Sequence, residues 1–255
     1  MKTYNVVTRE NRNLEVKSLI TRMLDDNYQL SIASPDYCFV VGGDGTFLHA
    51  VHQYMDKLDK IIFIGINSGT LGFYSDYDLS EAKECINDFL KKDGYLESYC
   101  LIKATTDKGK TYHAINEVRI ETLLRAQEID VTINQEFFEN FRGSGFLVCS
   151  AYGSSAYNRS IKGAIISTEI DCLQLSEISP VVTPKHPTLN SSIVFPKDTK
   201  IIFENQYFKN VSLLYDNQEV KLTNEKKIEV SYSDKKVRVL RLRSLSYLDR
   251  IKKLF

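Results

Sequence analysis

The residues best suited to chemistry lie in one short segment, Phe39–Leu48 (FVVGGDGTFL). An apolar run leads into two glycines, an aspartate, a third glycine and a threonine, and apolar residues follow at helical spacing. Glycines let the backbone approach a ligand closely, and the free N–H groups at a helix start attract an anion. The segment therefore predicts a phosphate-binding turn made by Gly42, Gly43, Gly45 and Thr46.

Asp44 is the unusual member of this turn, because its carboxylate adds negative charge where a phosphate would sit. It could accept a proton from an attacking hydroxyl or help to hold Mg²⁺. A simpler alternative is a tight turn in which Asp44 caps the helix. The spacing matches neither the G-x-G-x-x-G dinucleotide fingerprint nor the P-loop, which counts against an ordinary dehydrogenase or a P-loop ATPase.

The segments around this turn predict an α/β domain. Before about residue 98, short apolar runs alternate with stretches of helical periodicity, a pattern typical of βαβ units in a Rossmann-like parallel sheet. The predicted strands are Tyr4–Val7, Tyr37–Val41 and Ile61–Ile66, and the predicted helices are Leu14–Leu24, Phe47–Met55 and Leu79–Leu90.

The rest of the chain predicts a β-rich domain, a β-sandwich, because strand-like runs follow one another with turn residues between them. These runs are Leu101–Thr105, Tyr112–Ile120, Ile129–Ile133, Ser192–Phe195, Lys200–Phe203, Val211–Tyr215, Lys227–Val230 and Lys236–Leu242. The final segment, SYLDRIKKLF, has Tyr247, Leu248, Ile251 and Leu254 at helical spacing. We expect this tail to return to the first domain, so the predicted domains are 1–98 plus 240–255, and 99–239.

Composition excludes several classes of protein. Lys and Arg balance Asp and Glu at 33 each, so no overall field favours nucleic acid or an anionic membrane. The longest apolar run, Ile61–Ile66, is far shorter than the roughly 20 residues that span a bilayer, and the start shows no export signal. Five scattered cysteines without a CxxC pair indicate structural thiols in a reducing cytoplasm.

Beyond the glycine turn, several blocks of the sequence resemble the NAD kinase family. The GGDGT turn is the family's hallmark, although diacylglycerol, sphingosine and related lipid kinases share it. Four further blocks follow in the family's order. They are Ile64–Phe73 (similar to GIN-x-G-x-LGF), Ala114–Val118 (similar to LNEV), Gly153–Tyr157 (similar to GSTAY) and Leu214–Gln218.

The resemblance implies transfer of the γ-phosphoryl group of ATP to the 2′-hydroxyl of the adenosine ribose of NAD, with Mg²⁺ as cofactor. Asp44 would be the general base, and Asn116 and Glu117 would hold ribose hydroxyls. The implied phosphate- and ATP-binding residues are Gly42, Gly43, Gly45, Thr46 and His49. The implied NAD-binding residues are Asp44, Gly45, Phe73, Asn116, Glu117, Arg142, Ser144, Ser155, Ala156, Tyr157, Ser160 and Ser179.

The family also implies a homo-oligomer, a dimer or a tetramer.

Two further expectations concern local structure. A helix is plausible from Ala156 onward. The basic residues near the C-terminus, Arg241 and Arg250 among them, are expected to form a solvated or domain-bridging face. His49 and His52 are spaced for a metal site but have no third ligand at useful spacing, so no metal-binding residue is assigned.

Three departures from the family pattern concern the NAD contacts. Ser144 stands where the family often carries an aspartate, Tyr152 adds bulk, and Asn217 replaces the usual glycine. Two alternatives stay open. One is a lipid or other small-alcohol kinase, which would share the GGDGT turn, and the other is a NAD(P)(H)-binding sensor that has lost turnover, which Ser144 keeps possible. The Asn116-Glu117 and GSSAY segments argue against the first, and the intact Asp44 argues against the second.

Overall fold

The fold is described from a computed structural model, in which residues 1–9, 12–69, 72–206, 208 and 210–252 are described. Two compact units make up the chain. Unit 1 comprises Met1–Tyr99 and Lys235–Phe255, and unit 2 comprises Cys100–Asp234. Thr70 and Leu71 of the Ile64–Phe73 block, and residues 253–255 of the predicted tail helix, lie outside the described residues.

The amino-terminal part of unit 1 alternates strands with helices. Its elements are β1 (Thr3–Thr8), α1 (Leu14–Leu24), β2 (Gln29–Leu30), β3 (Tyr37–Val41), α2 (Asp44–Gln53), β4 (Ile62–Asn67), β5 (Tyr77–Asp78) and α3 (Ala82–Lys91). A 3-10 turn, Leu79–Glu81, leads into α3. Strands β2, β1, β3 and β4 lie side by side in that order, and every pairing is parallel. The parallel sheet predicted from the alternation is therefore present.

Helices cover both faces of this sheet. Ile20 and Leu24 of α1 and Phe89 of α3 pack with Val6 and Phe39 on one face. On the other face, Phe47 of α2 lies 5.7 Å from the Phe63 ring, between centroids. Because side chains alternate along a strand, β1, β3 and β4 are buried on both sides and read as continuous apolar runs.

Unit 2 has a short helix, α4 (Tyr157–Ser160), and otherwise consists almost entirely of antiparallel strands. They are the end of β6 (Tyr95–Thr106), β7 (Thr111–Ala114), β8 (Glu117–Glu121), β9 (Gln127–Ile133), β10 (Glu136–Ser150), β11 (Cys172–Pro180), β12 (Ile193–Pro196), β13 (Ile201–Glu204), β14 (Val211–Tyr215), β15 (Gln218–Leu222) and the start of β16 (Lys227–Arg241). Most of their buried apolar residues form one large core, and two small clusters, around Leu147 and around Ala151, are separate from it. The predicted fold class, an α/β domain followed by a β-rich domain, is confirmed.

The carboxyl-terminal segment completes unit 1. Arg238 and Val239 of β16 pair in parallel with Ile62 and Phe63 of β4. Leu240 and Leu242 pack on the same core as α1 and α3, and the short helix α5 (Tyr247–Lys252) follows. The prediction that the tail returns to the α/β domain is thus correct. Across the described ranges, none of the helices has the length and apolar character needed to span a membrane.

Candidate functional site

The glycine turn connects β3 to α2 and has the predicted form. Gly43 is the N-cap of α2 with extended backbone, and Asp44 is the first helical residue, so Asp44 does not cap the helix. Gly42 is required sterically, because a Cβ there would overlap the side chain of Thr46. Thr46 is buried, whereas Gly45 and His49 are exposed along the first turns of α2. The helix start is therefore open to a ligand on the side of Gly45.

The Asp44 carboxylate is held by the segment that follows β4. Its Oδ2 accepts a hydrogen bond from the Phe73 amide at 3.2 Å, and its Oδ1 accepts one from the Tyr74 amide at 3.5 Å. Gly72 lies so close that a Cβ there would overlap the carboxylate. Burial raises the pKa of Asp44, while the two amides and the charges of Arg241 and Arg250 oppose that rise. A carboxylate of this kind is oriented and more basic than usual.

Phe73 contributes its backbone amide to the surroundings of Asp44. The half-buried ring lies 6.3 Å from that of Tyr247, between centroids. The sequence analysis named Phe73 only as an implied NAD-binding residue. The hydrogen bond from the Phe73 backbone N–H to the Asp44 carboxylate was not predicted, because a contact across 29 positions leaves no local pattern in the sequence.

Asn116 and Glu117 lie at a break between strands in unit 2. The predicted strand Tyr112–Ile120 is in fact two strands, and Ile115 and Asn116 form the connection between β7 and β8. The carboxylate of Asp216 accepts hydrogen bonds from the amides of Ile115 (2.9 Å) and Asn116 (2.8 Å). The Asp216 amide donates in return to the Glu117 carbonyl at 3.0 Å. Asp216 thus fixes the backbone that carries Asn116 and Glu117.

The Glu117 side chain is buried and incompletely bonded. Its exposed fraction is 6%, and its Oε2 atom is buried without a hydrogen-bond partner. Burial raises the pKa of Glu117 to about 8; the nearby Asp216 charge adds to the rise and Arg119 opposes it. Buried polar atoms in proteins are nearly always hydrogen-bonded, so this one has capacity for a ligand hydroxyl.

The glycine-rich segment after β10 packs against Asn116. A Cβ at Gly153 would overlap the Asn116 backbone, which explains the glycine. The helix predicted from Ala156 onward is shorter than expected, because a 3-10 turn, Tyr152–Ser155, is followed by only one α-helical turn, Tyr157–Ser160. Buried Asn158 explains the early end, since its side-chain amide donates to the carbonyls of Ser154 and Ala164.

The predicted residues of this segment differ in exposure. Ser155, Ala156 and Tyr157 are half-buried, and Ser160 is exposed with its hydroxyl donating to the Tyr157 carbonyl at 2.7 Å. The guanidinium of Arg119 lies 3.9 Å from the centre of the Tyr157 ring. Arg119 and Tyr157 also line a groove of about 630 Å³, together with Leu123 and Leu124.

The remaining predicted residues lie around the pairing of β10 with β11. Arg142 is exposed, and its carbonyl accepts a hydrogen bond from the Val181 amide at 2.7 Å. Ser144 is half-buried, and its carbonyl accepts one from the Thr122 amide at 2.9 Å. Ser179 is exposed with a left-handed φ of 48°. The side chains of Arg142 and Ser179 therefore face solvent.

Arg241 and Arg250 were expected on a basic face, and that expectation is wrong. Their side chains are 2% and 7% exposed, and both form ion pairs with buried Asp76. Within the described ranges, no group of three or more His, Cys, Asp or Glu side chains could hold a metal ion. His49 and His52 accordingly belong to no such group.

The comparisons with known proteins agree across most of the chain. Residues 5–95 match the model of the ATP-NAD kinase N-terminal domain, and residues 115–242 match that of the C-terminal domain. The NAD kinase of Streptococcus pyogenes serotype M1 is 37% identical over 236 residues, which cover 91% of this chain and 85% of that protein.

Two solved structures have a similar fold. Yeast NADH kinase complexed with NADH has a TM-score of 0.83 at 16% identity, and the match covers 100% of this chain and 86% of the other. An NAD kinase from Archaeoglobus fulgidus in complex with ATP has a TM-score of 0.77 at 17% identity, covering 100% and 98%. At such low identities these two structures establish the fold alone.

Proposed function

The chain belongs to the ATP-NAD kinase family and phosphorylates NAD, and we propose that Asp44 is the general base of that reaction. The γ-phosphoryl group of ATP passes to the 2′-hydroxyl of the adenosine ribose. The observation that carries the proposal is the Asp44 carboxylate at the start of α2, oriented by the Phe73 and Tyr74 amides. Its burial raises its pKa, which makes it a better proton acceptor near neutral pH.

Positioning and charge neutralisation supply most of the catalysis in phosphoryl transfer. Asp44 takes the proton of the attacking hydroxyl as the oxygen bonds to phosphorus and ADP leaves. Gly42, Gly43, Gly45 and Thr46 form the phosphate-binding turn, with His49 beside it on the exposed face of α2. Open space around a Cβ position at Gly45 supports this role, since nothing lies within 4 Å of it.

Asn116 and Glu117 bind ribose hydroxyls in this proposal. The buried Oε2 atom of Glu117 supports the assignment, because a ligand hydroxyl would supply the hydrogen bond that this atom lacks. Asp216 keeps the pair in place. Further NAD contacts come from Phe73, Tyr157 and the small residues beside Tyr157, and from Arg142, Ser144 and Ser179. The proposed domains are 1–98 plus 240–255, which carries Asp44, and 99–239, which binds NAD.

In this proposal Mg²⁺ would be held mainly by the phosphates of ATP. The described residues fit that arrangement, because they contain no group of three or more ligand side chains, and Mg²⁺ is usually bound by one or two carboxylates plus substrate phosphates rather than by a protein cage. When bound, the ion neutralises charge on the transferring phosphoryl group. Removal of the metal with a chelator is expected to abolish turnover and to leave the unfolding transition of the protein unchanged.

We also propose that the enzyme acts in the cytoplasm as a dimer or tetramer, with no nucleic acid or membrane partner. The five free cysteines fit a reducing compartment. Light scattering on the purified protein gives the oligomeric state directly.

The experiment measures NADP formation from NAD, ATP and Mg²⁺ by the unaltered protein, Asp44→Asn and Asp56→Asn. Asparagine keeps the shape of Asp44 but cannot take a proton, so we expect kcat to fall by about 10²–10⁴-fold. Asp56→Asn removes the same charge at a side chain that is 96% exposed, and should keep full activity. NAD binding by Asp44→Asn should stay within about threefold of the unaltered protein.

The outcomes test both the role of Asp44 and the kinase activity itself. Full kcat in Asp44→Asn would show that another group accepts the proton. Tight NAD binding without turnover in the unaltered protein would instead favour the alternative of a NAD(P)(H)-binding sensor.

A further inference from the structure

Two buried arginines of the carboxyl-terminal segment grip the backbone that follows β4. Arg241 ends β16 and Arg250 lies in α5, and both guanidinium groups bond to the Phe73 carbonyl oxygen at 3.0 Å. Arg250 also donates to the Ser75 carbonyl at 3.1 Å. We call Arg241 and Arg250 the arginine clamp.

Asp76 binds both arginines of the clamp. Its Oδ1 accepts hydrogen bonds from Arg241 Nη1 at 2.9 Å and from Arg250 Nη2 at 2.7 Å, and its Oδ2 accepts one from the Leu242 amide at 3.3 Å. Arg241 is held further by Glu97, at 2.6 Å, and by the hydroxyl of Tyr99. Charge-assisted bonds of this kind are short and directional, so residues 73–76 have little freedom.

The opposite face of the same backbone holds Asp44. The Phe73 carbonyl gripped by the clamp and the Tyr74 amide that donates to Asp44 belong to one peptide group. A peptide group is planar and rigid, so fixing the carbonyl oxygen also fixes the direction of the N–H. A carbonyl that accepts from two cations polarises its peptide, which strengthens the N–H as a donor.

We propose that Arg241 and Arg250 are positioning residues for Asp44, acting through the Phe73–Tyr74 peptide group. The inference rests on the proposed role of Asp44 as general base. Neither arginine touches the reacting atoms in this account. The charges of both arginines also lower the pKa of Asp44, against the effect of its burial.

Arg243 provides a matched control in the same segment. Its guanidinium pairs with Glu81 and Glu84, each at 2.7 Å, and lies 3.9 Å from the centre of the Tyr77 ring. It is therefore an ion-paired, ring-stacked arginine whose described bonds go to helix residues rather than to 73–76. Arg243 is more exposed than Arg250, 28% against 7%, so Arg243→Gln controls for the loss of an ion-paired arginine from this segment.

The kinetic experiment compares Arg250→Gln, Arg250→Lys and Arg243→Gln across a pH series. Arg250→Gln should lower kcat about tenfold or more at an NAD KM within about threefold, because a misplaced base slows the chemical step and not binding. The acid limb of its kcat profile should move to higher pH, since a positive charge near Asp44 is lost. Arg250→Lys should restore the limb and part of kcat, and Arg243→Gln should leave both unchanged.

Amide hydrogen exchange supplies a readout that does not depend on turnover. The Phe73 and Tyr74 amides should exchange about tenfold faster or more in Arg250→Gln and should keep their protection in Arg243→Gln. If Asp44→Asn were fully active, the assignment of Asp44 as the base would fail. The amide exchange rates would still show whether the clamp orders the Phe73–Tyr74 backbone. Unchanged exchange and kcat in Arg250→Gln, or equal losses in Arg243→Gln, would overturn the proposal. Should Arg250→Gln not fold, Arg250→Met takes its place in both measurements, and unchanged exchange and kcat in Arg250→Met would overturn the proposal.

Discussion

Glu117 shows how one buried side chain can make the stability of the folded protein depend on pH. Its pKa is raised to about 8 by burial, with the Asp216 charge adding to the effect. In the unfolded chain a glutamic acid has a pKa of about 4.3. Between these values the folded protein binds a proton at Glu117 that the unfolded chain does not, so the free energy of unfolding falls as the pH rises through this window.

Replacing Glu117 by Gln should remove this dependence. We expect the stability of Glu117→Gln relative to the unaltered protein to increase with pH from about 4.3 to about 8, by up to about 1.4 kcal/mol per pH unit. Urea unfolding without ligand at a series of pH values measures the difference. Glu169→Gln, at an exposed position, is the control and should show a constant difference. A pH-independent difference for Glu117→Gln would mean that Glu117 is ionised in the folded protein.

The local structure of the candidate site was predictable where neighbouring residues determine it. Asp44 lies in a turn whose glycines and helix start are contiguous, so the strand, turn and helix start around it could be predicted without a structure. Asp216 and Gly72 were not assigned roles, because their partners lie far along the chain. Asp216 binds amides about 100 positions away, and Gly72 packs against a carboxylate 28 positions earlier.

At the scale of elements, the glycines after β4 form a natural pair for comparison. A Cβ at Gly72 would overlap the Asp44 carboxylate, whereas a Cβ at Gly69 would meet nothing within 4 Å. Neither glycine has a positive φ, so backbone strain does not distinguish them.

Gly72→Ala should therefore impair catalysis and Gly69→Ala should not. We expect kcat for Gly72→Ala to fall at least about tenfold, because the methyl group displaces the base from its working position. The free energy of unfolding should fall by about 1–3 kcal/mol, the usual cost of overpacking. Steady-state kinetics and urea unfolding of both variants are the measurements. Equal activity in the two variants would show that Asp44 tolerates displacement.

The long strand β10 illustrates why some elements escaped prediction. Its sequence, EFFENFRGSGFLVCS, contains charges and two glycines that resemble a loop. The glycines serve a change of partner, since β10 pairs with β9 up to Gly143 and with β8 from Gly145. Gly145 has a φ of 150°, and a Cβ there would overlap the Ile120 carbonyl. Composition alone cannot distinguish this change of partner strand from a turn. By contrast, β3 and β14 were predicted to the residue, because they are short apolar strands with clear ends.

At the scale of the whole molecule, the two units differ in how the chain builds them. Unit 2 is one continuous stretch, Cys100–Asp234, and its apolar core draws every residue from within that stretch. Unit 1 is discontinuous, because Leu240 and Leu242 pack on the core made by α1, α3 and the parallel strands. Only unit 2 therefore has a complete core in one segment.

Fragments should reproduce this difference. We expect residues 100–234 alone to unfold in one cooperative urea transition, since the core is intact. Residues 1–99 alone should show no such transition, because they lack the apolar and charged residues of the returning segment. Adding a peptide of residues 235–255 should restore one. Circular dichroism during urea titration records each case, and cooperative unfolding of 1–99 alone would contradict the expectation.

The discontinuity of unit 1 has a consequence for the order of synthesis. Residues 1–99, with Asp44 among them, leave the ribosome first, yet the arginine clamp is translated only after all of unit 2. The unit that carries the base is begun first and completed last. On the roles proposed for Asp44 and the arginine clamp, a nascent chain stalled before residue 241 would have a finished unit 2 but no correctly held base, and phosphoryl transfer would begin only once the clamp has emerged.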